Sequence, residues 1–245
     1  MRNIVIFGCF LVFTQAASAG LVARYDMEQE FGNNGFVPDS SPNGYDGVAK
    51  FNVQGTGGVA IFPGDSGSGV GWVKLPESVA TGSEATIKMT ANITGGDGDG
   101  VAGNDYLWYD ADNGQDNKRA LWFQGVTNRL FAELNGSSGT LAEFAVGYSD
   151  YLGKDTNIEF RFKDGGTAQL LINGNEVASK AIASGALARG AVDSVVLGRN
   201  DGVGNQHYLG TLDNVEIHNN FIPEPATLTL FGLGALGVLA VRRRF

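Results

Sequence analysis

Few side chains in this 245-residue chain combine the type and the spacing that chemistry demands. The only cysteine, Cys9, sits in an N-terminal apolar run that reads as a cleaved leader, so the mature chain has no thiolate nucleophile and no disulfide framework. The two histidines, His207 and His218, stand eleven residues apart, which suits polar surface positions better than a zinc pair or a catalytic base. Paired-carboxylate hydrolysis needs two acids on one face, which a strand supplies from alternate positions. Here Glu159 is alone on its strand, with Asp155 and Asp164 in the flanking turns. No Gly-x-Ser-x-Gly elbow or phosphate loop is present. Asp97-Gly98-Asp99-Gly100 opens like a calcium loop, but Val101 and Ala102 follow and Trp108 occupies the position that needs a bidentate Glu. The chain is therefore expected not to be an enzyme.

The aromatic residues are more promising. Tyr106, Trp108 and Asp110 alternate along one strand and project from one face, while Trp122 and Gln124 project together from another. Exposed on a concave face, Tyr106, Trp108 and Trp122 would make a stacking platform for sugar rings. Turned inward, the same rings would fill a core.

The elements that must position them are strands. Glycine is frequent, at 37 residues without a three-residue period, which points to many tight turns. Between Gly20 and Asn220 short apolar or alternating runs recur between turn residues, and no helical period of useful length appears. Thirteen strands are expected: 21–26, 48–53, 59–62, 71–75, 85–93, 106–109, 120–124, 130–134, 143–148, 157–163, 168–172, 194–197 and 208–217. Ile158, Phe160 and Phe162 alternate with charged neighbours and belong in the core. Asn173-Gly174 is expected to close a two-residue hairpin, because both residues tolerate positive φ. Ala181 to Arg189, interrupted by Gly185, reads as a loop rather than a helix.

Both ends read as addresses. Arg2 precedes the apolar run Ile4 to Phe13, and Ala17-Ser18-Ala19 supplies the small residues of a cleavage site, so residues 1–19 form a secretory signal. At the other end Pro223-Glu224-Pro225 leads into an apolar stretch from Ala226 to Val241 and the cluster Arg242-Arg243-Arg244. That stretch makes about 24 Å of helix, slightly short of a ~30 Å hydrocarbon core, with the arginines on the cytoplasmic side. The formal charge is −9, and the two ends carry four arginines against one acid, so their loss leaves a still more acidic domain. Nucleic acid is an unsuitable partner for such a surface.

Residues 221–245, in the order Pro-Glu-Pro, Gly/Leu-rich helix, Arg cluster, resemble the PEP-CTERM sorting signal. The resemblance implies recognition by an exosortase through Pro223, Glu224, Pro225, Arg242, Arg243 and Arg244, in the envelope of a Gram-negative, exopolysaccharide-producing bacterium. The body, residues 20–220, is similar to laminin-G-like domains of the concanavalin A-like class on three segments. These are Val22 to Glu28 with the Asp39-Ser40-Ser41-Pro42-Asn43-Gly44 loop, Glu159-Phe160-Arg161-Phe162 through Asn173-Gly174, and Val196-Leu197-Gly198 through Leu212-Asp213-Asn214-Val215. That resemblance implies an all-β, two-sheet antiparallel jelly-roll sandwich. It also implies a structural Ca2+ on Asp213, with Asp26 or Asp39 as companion, against the alternative that Asp213 pins a strand end. The function expected is a non-catalytic envelope or extracellular-matrix protein that binds exopolysaccharide or another matrix component. An exported carbohydrate-active enzyme of the same fold and a purely structural coat are the alternatives.

Overall fold

Alternation of apolar and polar side chains gives each strand one oily face, and two sheets bury those faces against each other. A computed structural model describes residues 20–64, 70–95, 104–112, 117–136, 139–188, 191–200 and 206–222. The expected signal (1–19), the sorting segment from Pro223 onward and the Asp97–Gly103 loop lie outside the described residues. Among the described residues no helix is long and apolar enough to cross a membrane.

The strands are β1 (Leu21–Tyr25), β2 (Glu30–Phe31), β3 (Phe36–Val37), β4 (Gly47–Phe51), β5 (Gln54–Thr56), β6 (Ala60–Pro63), β7 (Gly71–Leu75), β8 (Glu84–Ile93), β9 (Asn104–Asp112), β10 (Arg119–Gln124), β11 (Arg129–Gly136), β12 (Gly139–Gly147), β13 (Thr156–Lys163), β14 (Thr167–Ile172), β15 (Asn175–Ala181), β16 (Val192–Leu197) and β17 (Leu209–His218). The first sheet runs β15-β14-β13-β8-β17-β6-β5-β2, with β1 also paired to β17. The second runs β12-β11-β10-β9-β16-β7-β4-β3. Every described strand pair is antiparallel, as the sandwich expectation requires. Ile87, Met89, Phe160, Phe162 and Leu170 of the first sheet meet Leu107, Leu121, Phe123, Leu134 and Leu197 of the second in one buried cluster.

Asn173 and Gly174, at φ 51° and 77°, join β14 to β15 in the tight turn the sequence predicts. Of the Ala181 to Arg189 segment, Ala181 ends β15 and residues 182–188 form a loop, pinned by Asp164, whose carboxylate accepts the N–H groups of Gly185 (2.6 Å) and Leu187 (3.0 Å). Those two bonds hold the Asp164 carboxyl below its ordinary range. The strands the sequence did not predict, β2, β3, β5 and β15, are short or sit at a sheet edge, where exposed polar residues erase the alternation.

Candidate functional site

The second sheet's outer face carries most of the aromatic side chains that do not enter the core. On β9 the register shifts opposite Leu121/Trp122, so that Trp108 faces Leu121 and Tyr106 faces Trp122, leaving Leu107 as an extra residue. The bulge reverses the side-chain phase along the strand. Tyr106 and Tyr109 point outward, whereas Leu107 and Trp108 join the inter-sheet core. The expectation that Tyr106, Trp108 and Asp110 share a face is corrected here: Trp108 is fully buried, and Asp110 accepts the Thr81 N–H (2.8 Å) on the inner side. Tyr106 and Trp122, expected from neighbouring strands to contribute to one platform, stack on each other. Their ring centroids are 5.4 Å apart, and Trp122 stacks on Phe131 of β11 at 5.0 Å with the planes within 7°. Burial, with Glu133 nearby, pushes the Tyr106 phenol up to about 12. Lys118 ion-pairs with Glu133 at 2.8 Å and lies 5.8 Å over Trp122.

Tyr106 and Trp122 are only 4% and 7% exposed, so they support the face more than they present it. The accessible aromatics lie farther along the same face. In β7 the sequence alternates Gly71 and Val73 inward with Trp72 and Lys74 outward, and Lys50 of β4 stands opposite Trp72. Phe51, 47% exposed, has φ 57°, a left-handed conformation uncommon for a bulky side chain. Its N–H donates to Asn33 Oδ1 (2.9 Å), and its ring lies 4.8 Å from Trp72. The Arg199 guanidinium covers Trp72 at 3.8 Å, and His207 packs 5.9 Å from the same ring. Phe51, Trp72 and Arg199 were not singled out from sequence. The Gly-Trp-Val-Lys-Leu alternation signalled Trp72, but nothing local signals an aromatic residue at positive φ.

Of the carboxylates expected at a calcium site, Asp26 is near enough for its charge to act on Asp213, whereas Asp39 is engaged by its own loop. Asp39 Oδ1 accepts the N–H groups of Arg24 (2.9 Å) and Ser41 (2.8 Å), and Oδ2 accepts Ser41 Oγ (2.8 Å) and the Tyr45 N–H (2.8 Å). Both oxygens are thus committed to stapling the Asp39–Gly47 loop onto β1. Asn43 adds to this by donating to the Val22 carbonyl at 2.7 Å. Asp26 pairs with Arg24, and Asp213 accepts the backbone and side-chain N–H groups of Asn214 at the irregularity in β17. Among the described residues no three His, Cys, Asp or Glu side chains are grouped to hold a metal ion. Asp39 does not fit a shared calcium cage, because its lone pairs are spent on loop N–H groups.

Asp213 is held above the ordinary carboxylate range, first by burial and then by the charges of Glu28 and Asp26. A raised folded pKa means that the ionised form is disfavoured in the fold, so the penalty is full at neutral pH. It shrinks as pH falls through the folded pKa and is absent once the unfolded chain is protonated too. Asp213→Asn is therefore expected to stabilise the domain at pH 7 by less than about 1 kcal/mol, given solvent screening. Melting curves at pH 7 and near pH 3.5 check this: the gain should disappear at the lower pH, and an equal gain at both would refute the charge argument.

The first sheet's outer face is polar. Across β13, β8, β17 and β1 the pairing aligns Glu159, Lys88, Glu216 and Arg24 as an alternating charge ladder. A shallow depression of about 220 Å³ lies here, lined by Lys88, Thr90, Asn157, Glu159, Asn214 and Glu216. His218 Nε2, 3.1 Å from Glu216 Oε2, pulls that carboxyl below its usual range. Glu159 lies 3.7 Å from the Arg161 guanidinium.

Two antiparallel sheets face to face, one bearing an aromatic outer surface, define the lectin-like jelly-roll class of sandwiches. The chain belongs to the concanavalin A-like lectin/glucanases superfamily, whose laminin-G-type model matches residues 66–224. Residues 221–244 match the PEP-CTERM protein-sorting motif. No curated protein sequence matches the chain. Domain 4 of AbnA, an extracellular arabinanase from Geobacillus stearothermophilus solved with arabinotriose, has the same fold. Its TM-score is 0.59 at 17% identity, over 84% of this chain and 95% of that one. The binding domain of botulinum neurotoxin DC in complex with SialylT aligns with TM-score 0.61 at 10% identity, over 87% of this chain and 51% of the toxin domain. Trypanosoma rangeli sialidase in complex with sialic acid gives 0.60 at 16%, over 86% of this chain and 32% of the enzyme.

Proposed function

We propose that this protein is a non-catalytic envelope or matrix component that binds an acidic polysaccharide through the Phe51–Trp72–Arg199 face and is processed by an exosortase. The observation that carries the binding reading is the Arg199 guanidinium stacked 3.8 Å over Trp72, with the exposed Phe51 ring beside it. Lys50 and Lys74 project from the same face of β4 and β7. This basic, aromatic corner belongs to a chain of net charge −9. Sugar rings stack on apolar planes, and uronate or similar carboxylates pair with guanidinium. Structures of the same fold that hold arabinotriose and sialic acid support a saccharide ligand. The PEP-CTERM motif implies an exported protein sorted to the cell envelope, with an exosortase as its processing partner; a Gram-negative surface as the destination is part of the proposal. On the other sheet Glu159 lies 3.7 Å from the Arg161 guanidinium and Glu216 lies 3.6 Å from the Arg24 guanidinium, which supports a structural charge ladder there.

The test is retention of the mature protein on the host's acidic exopolysaccharide, with new reducing ends measured in parallel. Trp72→Ala and Phe51→Ala are each expected to weaken retention at least about tenfold, a loss of roughly 1.4 kcal/mol, while the domain stays folded at the assay temperature. Added salt should weaken binding further. Equal retention by wild type and Trp72→Ala would remove this face from the account, and release of new ends would establish an enzyme instead.

A further inference from the structure

The peptide that immediately precedes the Pro-Glu-Pro triplet is bound to the sandwich. Beyond β17 the chain folds back over the polar outer face of the first sheet, and three side chains from β8 and β13 hold it. Thr86 Oγ1 donates to the Asn220 carbonyl (2.9 Å) and accepts the Ile222 N–H (3.0 Å), so one hydroxyl uses both its donor and its acceptor capacity. Glu84 Oε1 accepts the Phe221 N–H (3.0 Å) while Glu84 Oε2 pairs with Lys163 (2.9 Å). The Arg161 guanidinium donates to the Ile222 carbonyl and lies 5.4 Å over the Phe221 ring. Thr86 and Arg161 occupy the solvent-facing side of their strands, yet they are 0% and 2% exposed. They are among the buried polar residues because this peptide covers them.

We propose that Glu84, Thr86 and Arg161 form a seat for Asn220–Ile222 that controls exosortase access to the adjoining Pro-Glu-Pro, an inference that rests on the exosortase reading. Only Pro223, Glu224 and Pro225 separate the seated peptide from the apolar stretch that begins at Ala226. Three extended residues span at most about 10 Å. While Phe221 and Ile222 are seated, the folded domain stands directly against the motif, and a membrane transpeptidase cannot enclose the chain on both sides of it. Processing then proceeds from the unseated fraction, and its rate scales with that fraction. The three side chains are positioning residues: they touch the substrate peptide from within the same chain and take no part in bond cleavage.

The experiment follows maturation of the full chain in exosortase-bearing cells by pulse-chase. Thr86→Val keeps the side-chain volume and removes both hydroxyl bonds, and Glu84→Gln weakens the Phe221 contact. Thr86→Val is expected to mature roughly three- to tenfold faster than wild type, the range set by losing one or two net hydrogen bonds. Six Gly/Ser residues inserted between Ile222 and Pro223 supply slack without touching the seat. That variant should also mature faster, and in its background Thr86→Val should add nothing, a result that simple destabilisation would not give. Wild-type maturation rates in both Thr86→Val and the insertion variant would overturn the seat. A chain with Pro223 and Pro225 replaced serves as the reference: its normal maturation would overturn the exosortase reading itself, whatever the seat variants do.

Discussion

Trp108→Ala is expected to lower stability by about 3–5 kcal/mol, the cost of emptying a large aromatic site in a close-packed core. For a domain of this size that lowers the melting temperature by roughly 6–20 °C. The reason is the bulge opposite Leu121/Trp122, which turns the Trp108 ring away from the aromatic outer face and into the space between the sheets. The same truncation at Trp72 should lower the melting temperature less, because that ring is only partly buried on the outer face. Chemical or thermal unfolding of the two variants side by side checks the placement. Equal midpoints for Trp108→Ala and wild type would mean the ring is not where the bulge puts it.

Asp39→Ala is expected to cost about 2–4 kcal/mol. One carboxylate takes four hydrogen bonds from Arg24, Ser41 and Tyr45, and its removal leaves three backbone N–H groups without that acceptor. Asp39→Asn should fall between: the amide oxygen keeps two of the acceptor positions, and the amide nitrogen cannot replace the other two. Urea titration of the three proteins should rank wild type above Asn above Ala. An Ala variant as stable as wild type would show that the loop is held by other means.

These two residues also mark how far the sequence was legible. Alternation sufficed wherever a polar residue marked the phase: Ile158, Phe160 and Phe162 point inward as predicted, because Glu159 and Lys163 fix the other face. The Asn173-Gly174 turn was readable because its chemistry is local. In Tyr106-Leu107-Trp108-Tyr109 every residue is apolar or aromatic, so an extra residue shifts the phase without leaving a mark in the pattern. Phe51 was hidden for a related reason: its outward ring depends on a positive φ that nothing in the neighbouring residue types demands. Asp39 was found by its motif but given a metal ligand's role. A carboxylate that accepts N–H groups and one that coordinates a cation are the same residue in a sequence, and only the positions of Ser41, Tyr45 and Arg24 separate them.

β17 is inserted in the middle of its sheet, with β8 along one side and β6 and β1 along the other. It is also the last described strand before the sorting motif, so a chain exported from its N-terminus delivers this keystone last. Until Leu209–His218 have crossed, β1 has no partner in the sheet and β8 lacks one neighbour, and the two halves of the sheet are not joined. Such long-range closure is slow and waits for its missing piece. Completion of the first sheet therefore waits on the strand nearest the sorting motif, so the last step of folding belongs to the C-terminal end of the domain.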